Sequence, residues 1–386
     1  MEYLDRLILR DATSSGSFAE TSHKMMNRRS LITLLASLAA TKSHSANPDR
    51  MKAAAKIIQK QVDAGVLESA VLHARRGQDT FQQAFGRAKD AEAIFLLASF
   101  TKTLTAAGVM VLADRGELRL GDKAVKFIPE FSEGARKDIT IEQLLTHTSG
   151  LPDQLENNTE LRSKHAPLAE FVRGAIRTPL LFAPGTKYHY QSMGLLLAAE
   201  IVERITKTKL PEFLAKEVFQ PLGMTRTALG LGSFKLEDTI RCQTEHAAPE
   251  SGAGDPKAQT WDWNSPYWRN LAAPWGGAHG SAGDVARFLD SFMFPTGKVL
   301  RTKTAGGMIR NHTEGLEAHR GIGFMIGTAG FGKDCSEKSF GHSGSTGTLA
   351  WADQATDTTC VILTSLPSRI SSSTILQPVA DVISAA

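Results

Sequence analysis

Cysteine is scarce in this chain: there are three in 386 residues, Cys242, Cys335 and Cys360. So few thiols, so widely scattered, exclude a disulfide framework and a cysteine-based zinc site, and an odd number leaves at least one free. Charge of one sign is lacking too. The net charge is +4, spread along the chain without a long basic run, so nucleic acid is not an expected partner. No segment is apolar for long enough to cross a bilayer; the stretch Leu31 to Ala40 falls far short of the roughly 20 residues required. Internal repeats and low-complexity linkers are also missing. What remains is a chain with 42% hydrophobic and 22% charged residues, a balance that supports a large core and the composition of a globular enzyme.

Residues 1–46 stand apart from the rest. Asn27-Arg28-Arg29 precedes the apolar stretch from Leu31 to Ala40, and small residues follow at Ser43, Ser45 and Ala46. A basic start, a short apolar stretch and a small-residue tail have the order of an export signal. The Arg28-Arg29 pair resembles a twin-arginine signal. Export to the periplasm is therefore the expectation, with translation beginning at Met25 or Met26; without a signal the protein would be cytoplasmic. Residues 47–386 are expected to form a single domain.

Within that domain the periodicity predicts a helix over 48–63, with Met51, Ala54, Ile57, Ile58 and Val62 on one face. Strands are predicted over 69–75 and 79–86, joined around Gly77. An apolar run, 94–98, gives way at Ser99 to a helical pattern that stops near Gly116. Short helices are expected over 141–147, 168–177 and 192–206. A long structured loop over 249–277 carries Trp261, Trp263, Trp268 and Trp275, which could line a pocket or simply pack the loop down. A helix over 281–294, strands over 321–328, 338–342, 347–353 and 359–365, and a helix over 375–384 complete the chain. Strands at both ends with helices between them predict an α+β fold: an antiparallel sheet flanked by helices, built from about 47–98 and 278–386, with an inserted helical region over about 99–277.

Ser99-Phe100-Thr101-Lys102 carries the chemistry. Residues three apart on a helix share a face, so the Ser99 hydroxyl and the Lys102 amine can meet. A serine is a weak nucleophile until a neighbour takes its proton, and the start of a helix favours a developing alkoxide. The Ser-x-x-Lys pattern is weak alone, but it occurs once here and lies in telling company. The segments Phe95 to Lys102, Leu144 to Pro152, Pro184 to Gly194, Gly276-Gly277 with Ser281 and Asp284, and Phe340 to Gly347 together resemble the landmarks of the serine β-lactamase and penicillin-binding-protein superfamily, in the family's order. The likeness is to the branch of class C β-lactamases, D,D-peptidases and family VIII carboxylesterases, and it runs from about residue 48 to the C-terminus.

That resemblance implies a β-lactamase/D,D-peptidase-like fold and a role for each matching residue. Ser99 would be acylated, Lys102 would share its proton, and Tyr190 would serve as general base and then as acid to the leaving group; Tyr188 is the alternative phenol. His342 would replace the lysine of many lactamases, orienting Tyr190 or binding a substrate carboxylate. Gly344 would let substrate approach the strand edge, and the backbone N–H groups of Ser99 and Ser345 would form an oxyanion hole. No metal or cofactor is implied. One departure matters: the family's Tyr-x-Asn reads Tyr190-Gln191-Ser192 here. Ser192 is too short for the contact that the asparagine makes with a substrate's side-chain amide. Esters are therefore expected ahead of amides and β-lactams as substrates. The rival from another class is a non-catalytic penicillin-binding or sensor protein.

Three further patterns carry little. Gly341-His342-Ser343-Gly344-Ser345 lacks the last glycine of a nucleophile elbow. Gly327 to Lys333 matches a phosphate loop, but Asp334 stands where Ser or Thr is needed. His312 and His319, with Glu314 and Glu317 between them, lack zinc-ligand spacing.

Overall fold

The computed structural model describes residues 48–385; the expected export signal lies outside them. The chain opens with α1 (Pro48–Asp63), whose buried residues Met51, Ala54, Ala55 and Ile58 follow the i, i+3, i+4, i+7 spacing of one helix face. The strands β1 (Ser69–Arg76) and β2 (Asp79–Gly86) follow as a hairpin. Next come β3 (Phe95–Leu96), α2 (Thr101–Asp114), α3 (Ile141–Leu145), α4 (Leu168–Arg177) and α5 (Met193–Thr206). The chain continues through β4 (Thr227–Leu229), β5 (Ala278–Gly280) and α6 (Ala282–Met293). It ends with β6 (Met325–Ile326), β7 (Ser339–Gly344), β8 (Thr348–Asp353), β9 (Thr358–Thr364) and α7 (Gln377–Ser384).

The main sheet has the order β2-β1-β9-β8-β7-β6, with antiparallel neighbours. It is built from both ends of the chain, as the strand distribution predicts. Its central strands bury both faces. Leu72, Ala74, Trp351, Cys360 and Ile362 face one core with α1 and α7, while Val71, Ala350, Ala352, Val361 and Leu363 face the other. This is the period-two alternation of a strand. On the second face α6 packs through Phe288 and Phe292 against Phe324 and Phe340, with ring centroids 5.0–6.2 Å apart. Beyond it lies the helical region, centred on α2. Residues 101–112 are all buried, so this helix is enclosed on every side rather than amphipathic.

A second sheet of three strands, β3-β5-β4, joins the two regions and is absent from the sequence expectations. Strands of two or three residues are too short to show alternation. The expected strand over 321–328 shrinks to Met325–Ile326, because Gly323 and Gly327 take φ of +78° and +85°, a left-handed conformation foreign to a strand. The loop over 249–277 is structured by short turns and the helix Pro266–Asn270. The Gly327–Lys333 segment is a connection between strands, and Ser343 lies within antiparallel β7, not at a strand-to-helix turn. The three cysteines are all free and buried. Among the described residues no helix is long and apolar enough to cross a membrane.

The β7–β8 turn depends on Gly347. Its φ is +93°, and a Cβ there would lie 2.0 Å from the Leu366 carbonyl oxygen and 2.1 Å from Thr364 Oγ1. Thr364 is tied to the turn, since its N and Oγ1 each donate to Gly347 O at 3.0 Å. Gly347→Ala is expected to lower stability by about 2 kcal/mol or more, read as a lower urea midpoint at unchanged slope; an unchanged midpoint would refute this account.

Candidate active site

The nucleophile turn is strained and held from several sides. Ala98 has φ of +46°, a conformation that costs a non-glycine residue about 1–3 kcal/mol and persists only where the surroundings impose it. They do so here. Leu97 N donates to Ala278 O at 2.8 Å, Ala278 N donates to Thr101 Oγ1 at 3.0 Å, and Thr346 Oγ1 donates to Leu96 O at 2.7 Å. The end of β7 lies directly against this turn: a Cβ on Gly344 would sit 2.6 Å from Leu97 O and 3.2 Å from Ala98 Cβ. The glycine is thus required by protein packing.

Ser99 occupies a single 3-10 turn, Ala98–Phe100, that runs into α2, so the (i, i+3) geometry is realised. Lys102 Nζ lies 3.1 Å from Ser99 Oγ and 2.9 Å from Trp275 O. The lysine is 1% exposed. No carboxylate of the described residues forms an ion pair with it, and its neighbours are a hydroxyl, a carbonyl and a ring. The ring is that of Tyr190, whose centroid lies 4.7 Å from Nζ.

Tyr190 stands in a wall of aromatic and basic side chains. His147 stacks beside it at 4.7 Å between centroids, and His147 Nδ1 accepts from Gln191 N at 3.2 Å. Burial first, then Arg320 and Lys102, hold the His147 ring well below its ordinary pKa, hence neutral. Arg320 lies over both tyrosines, 5.0 Å from the Tyr188 centroid and 5.8 Å from that of Tyr190, and donates to the Tyr188 hydroxyl. Burial pushes the Tyr188 phenol up despite Arg320. Tyr190, not Tyr188, lines the cavity that contains Ser99.

His342 lies behind Tyr190, with ring centroids 6.1 Å apart. Its Nδ1 meets Ser343 O at 2.6 Å. A carbonyl only accepts, so Nδ1 carries the proton, and buried Nε2 has no partner among the described residues. Burial, Arg320 and Lys102 depress its pKa to about 3. Of its two expected roles, orienting Tyr190 is the one that its place beside that ring suits.

The cavity, of about 190 Å³, is lined by Ser99, Lys102, Tyr190, Ser192 and Ser345, together with Trp263, Trp268 and Trp275. Five of the seven residues expected from the sequence therefore meet in one space, with His342 and Gly344 immediately behind. Gln191 is fully buried and turned away from the cavity: its Oε1 accepts from Ser149 Oγ at 2.6 Å and its Nε2 donates to Gln143 O at 3.2 Å. Ser192 Oγ donates to Asp153 Oδ1 at 2.6 Å.

Sequence reasoning missed Asp153, Arg162 and Arg320. Asp153 directly follows the Leu144 to Pro152 landmark, a signal that was available. Arg320 and Arg162 sit in segments without a pattern. Arg162 is a clamp in the cavity wall. It donates to Glu250 O and Trp261 O at 2.8 and 3.1 Å and lies 4.2 Å from the Trp268 ring centroid, with burial bringing its pKa down to about 10. His312 pairs with Glu142 at 2.7 Å, and no metal-binding group of residues occurs among those described.

The Beta-lactamase family model matches residues 54–380. Protein flp of Staphylococcus aureus (strain COL) is 30% identical over 175 residues, 44% of this chain and 35% of flp; the chain thus matches about a third of the length of that curated relative. Among solved structures, EstCE1, a hydrolase with promiscuous acyltransferase activity, superposes with a TM-score of 0.71 at 19% identity, covering 87% of this chain and 99% of that one. A penicillin-binding protein homologue from Caulobacter crescentus gives 0.68 at 19% identity, covering 88% and 97%. At these identities the two structures attest to the fold alone.

The buried imidazoles set an acid limit on this arrangement. Burial is the leading cause that lowers His73 to about 4 and His279 and His342 to about 3, and it lowers His147 as well. In the unfolded chain each regains its ordinary value of 6.5 and binds a proton that the folded state refuses. Their contribution to stability is thus complete above about pH 6.5 and lost as pH falls from there, by about 1.4 kcal/mol per pH unit for each ring still neutral in the fold. His312, raised by Glu142, works the other way and offsets part of this. Urea unfolding at pH 7 and pH 5 should show lower stability at pH 5; equal stability would contradict the assignment.

Proposed function

Because the chain belongs to the Beta-lactamase family, we propose that it is a serine hydrolase working through an acyl-enzyme on Ser99. The observation that carries this reading is the position of the Lys102 amine. It is buried, 3.1 Å from Ser99 Oγ, 4.7 Å from the Tyr190 ring centroid, and lines the same cavity as the serine. A buried lysine without a carboxylate partner is an expensive feature to maintain, and sharing the serine proton is the use its neighbours support.

In this mechanism Ser99 Oγ bonds to the substrate's carbonyl carbon while its proton passes to the Lys102–Tyr190 pair. The carbonyl oxygen gains the negative charge and is met by the backbone N–H groups of Ser99 and Ser345. The bond to the leaving group then breaks, and Tyr190 returns the proton to the departing oxygen or nitrogen. Water repeats the sequence on the acyl-enzyme, releasing the acid and free Ser99. Arg320 and His147 act as positioning residues that pack against the Tyr190 ring.

Esters stand first among the substrates, before amides and β-lactams. Ser192 is engaged with Asp153 and Gln191 with Ser149 and Gln143, so neither is free to offer an amide donor to an acylamino side chain. Small esters do not need one.

Turnover of p-nitrophenyl butyrate and of nitrocefin, followed with intact-mass measurement of the protein, tests this. The ester should be turned over the faster. Ser99→Ala and Lys102→Ala should each lose about 10³-fold or more in kcat, and Tyr190→Phe about 10²-fold or more. A stable adduct without turnover would replace the hydrolase with a penicillin-binding sensor. Ester turnover surviving Ser99→Ala would sink the acyl-enzyme on that residue.

A further inference from the structure

The carboxylate of Asp153 is not accounted for by acyl transfer. Asp153 lines the same space as Ser99 and Tyr190 and is partly exposed. It forms no ion pair among the described residues, although it is doubly fastened: Ser192 N donates to Asp153 O at 3.2 Å, and Ser192 Oγ donates to Asp153 Oδ1 at 2.6 Å. Ser192 is also the N-cap residue of α5 without using its side chain as a cap. The hydroxyl is therefore directed to the carboxylate in place of the usual capping bond.

The consequence is a reversal of hydrogen-bond polarity. A hydroxyl has one hydrogen and a carboxylate has none. Once Ser192 has given its hydrogen to Asp153, the pair presents only lone pairs and a negative charge to the cavity. An asparagine at position 192 would have offered an N–H to a carbonyl on the substrate. This pair instead requires a donor. None of the other charged side chains of the lining bonds to Asp153; their hydrogen bonds run elsewhere. Lys102 is engaged with Ser99 and Trp275 O, Arg162 with Glu250 O and Trp261 O, and exposed Arg369 with Ala247 O at 3.3 Å. Glu250, exposed, is an acid like Asp153.

We infer that Asp153 and Ser192 form a subsite for a positively charged donor on the acyl group. The preferred substrates are then esters or amides whose acyl portion carries a free amino group close to the scissile carbonyl, as amino-acid esters do. This rests on the acyl-enzyme reading above, because it is the Ser99 carbonyl position that puts the acyl group beside residue 192. Position 192 follows Tyr190 by two residues, and both line the cavity. A charge-assisted hydrogen bond to a partly buried carboxylate is among the stronger polar contacts, and a site that presents only acceptors disfavours an analogue lacking the donor.

The test compares d- and l-alanine ethyl esters with ethyl propionate at neutral pH. In the unaltered protein the better alanine ester should exceed the propionate at least tenfold in kcat/KM, and Asp153→Asn should bring that ratio close to one. A ratio at or below one with Ser99-dependent turnover, or a preference that persists in Asp153→Asn, would overturn the subsite and leave the hydrolase intact. A second measurement does not need turnover. Trp263, Trp268 and Trp275 line the cavity, so tryptophan fluorescence can follow alaninamide and propionamide binding to Ser99→Ala. Alaninamide should bind at least tenfold tighter than propionamide, and the difference should vanish when Asp153→Asn is added. Equal affinities would overturn the proposal. If no ester is hydrolysed, the acyl-enzyme reading fails and the titration alone decides the subsite.

Discussion

Everything at the cavity depends on the close approach between the end of β7 and the turn at Leu97-Ala98. That turn holds an alanine in a left-handed conformation, which a free chain would abandon for a few kcal/mol of relief. It persists because the small sheet grips one side through Ala278 while β7 presses the other, with Gly344 leaving space for Leu97 O. Ser99 is the next residue. Its position is thus set by two sheets at once, and α2 then carries Lys102 round to meet it. Strands from residues 278 and 344, distant in sequence and belonging to different sheets, converge on a turn near residue 98.

The second landmark, Leu144 to Pro152, supports a different side chain. His147 is buried at φ of +64° and holds the segment of Tyr190 through its ring nitrogen and its carbonyl, to which His189 N donates at 2.9 Å. Ser149 fixes Gln191. Between them they order residues 189–191 without touching the cavity. Landmark residues that look chemical in a list thus prove to be scaffolding. The imidazoles stay neutral because ring burial and two nearby cations oppose protonation, so they brace Tyr190 without competing for its proton.

The protein commits its polar side chains in pairs, and those commitments shape the cavity more than its outline does. Arg162 ties the segment 250–261 to the short helix Asn158–Ser163 and stacks against Trp268, so the tryptophan wall is rigidly backed. Ser192 and Asp153 do the reverse: their mutual bond leaves an unspent acceptor facing inward.

Much of this was legible in the sequence. The spacing of Met51, Ala54 and Ile58, the hairpin at 69–86 and the helix over 168–177 are local patterns. Helix periodicity alone brings Ser99 and Lys102 onto one face, and the order of the landmarks pointed to Tyr190 and Ser345. Other features were illegible because they are agreements between distant segments. The small sheet needs three strands of two or three residues from three places. Arg320 has no local signature and matters only because the fold lays it over two tyrosines. Gly344 was recognised as necessary, but the neighbour that makes it so lies some 250 residues earlier in the chain. Sequence periodicity determined that the Ser99 hydroxyl and the Lys102 amine could meet, since i, i+3 geometry is a property of the backbone. Tertiary structure decided which of them face the cavity and which way each hydrogen bond runs, because a hydroxyl has only one hydrogen to give and its direction depends on the partner the fold supplies.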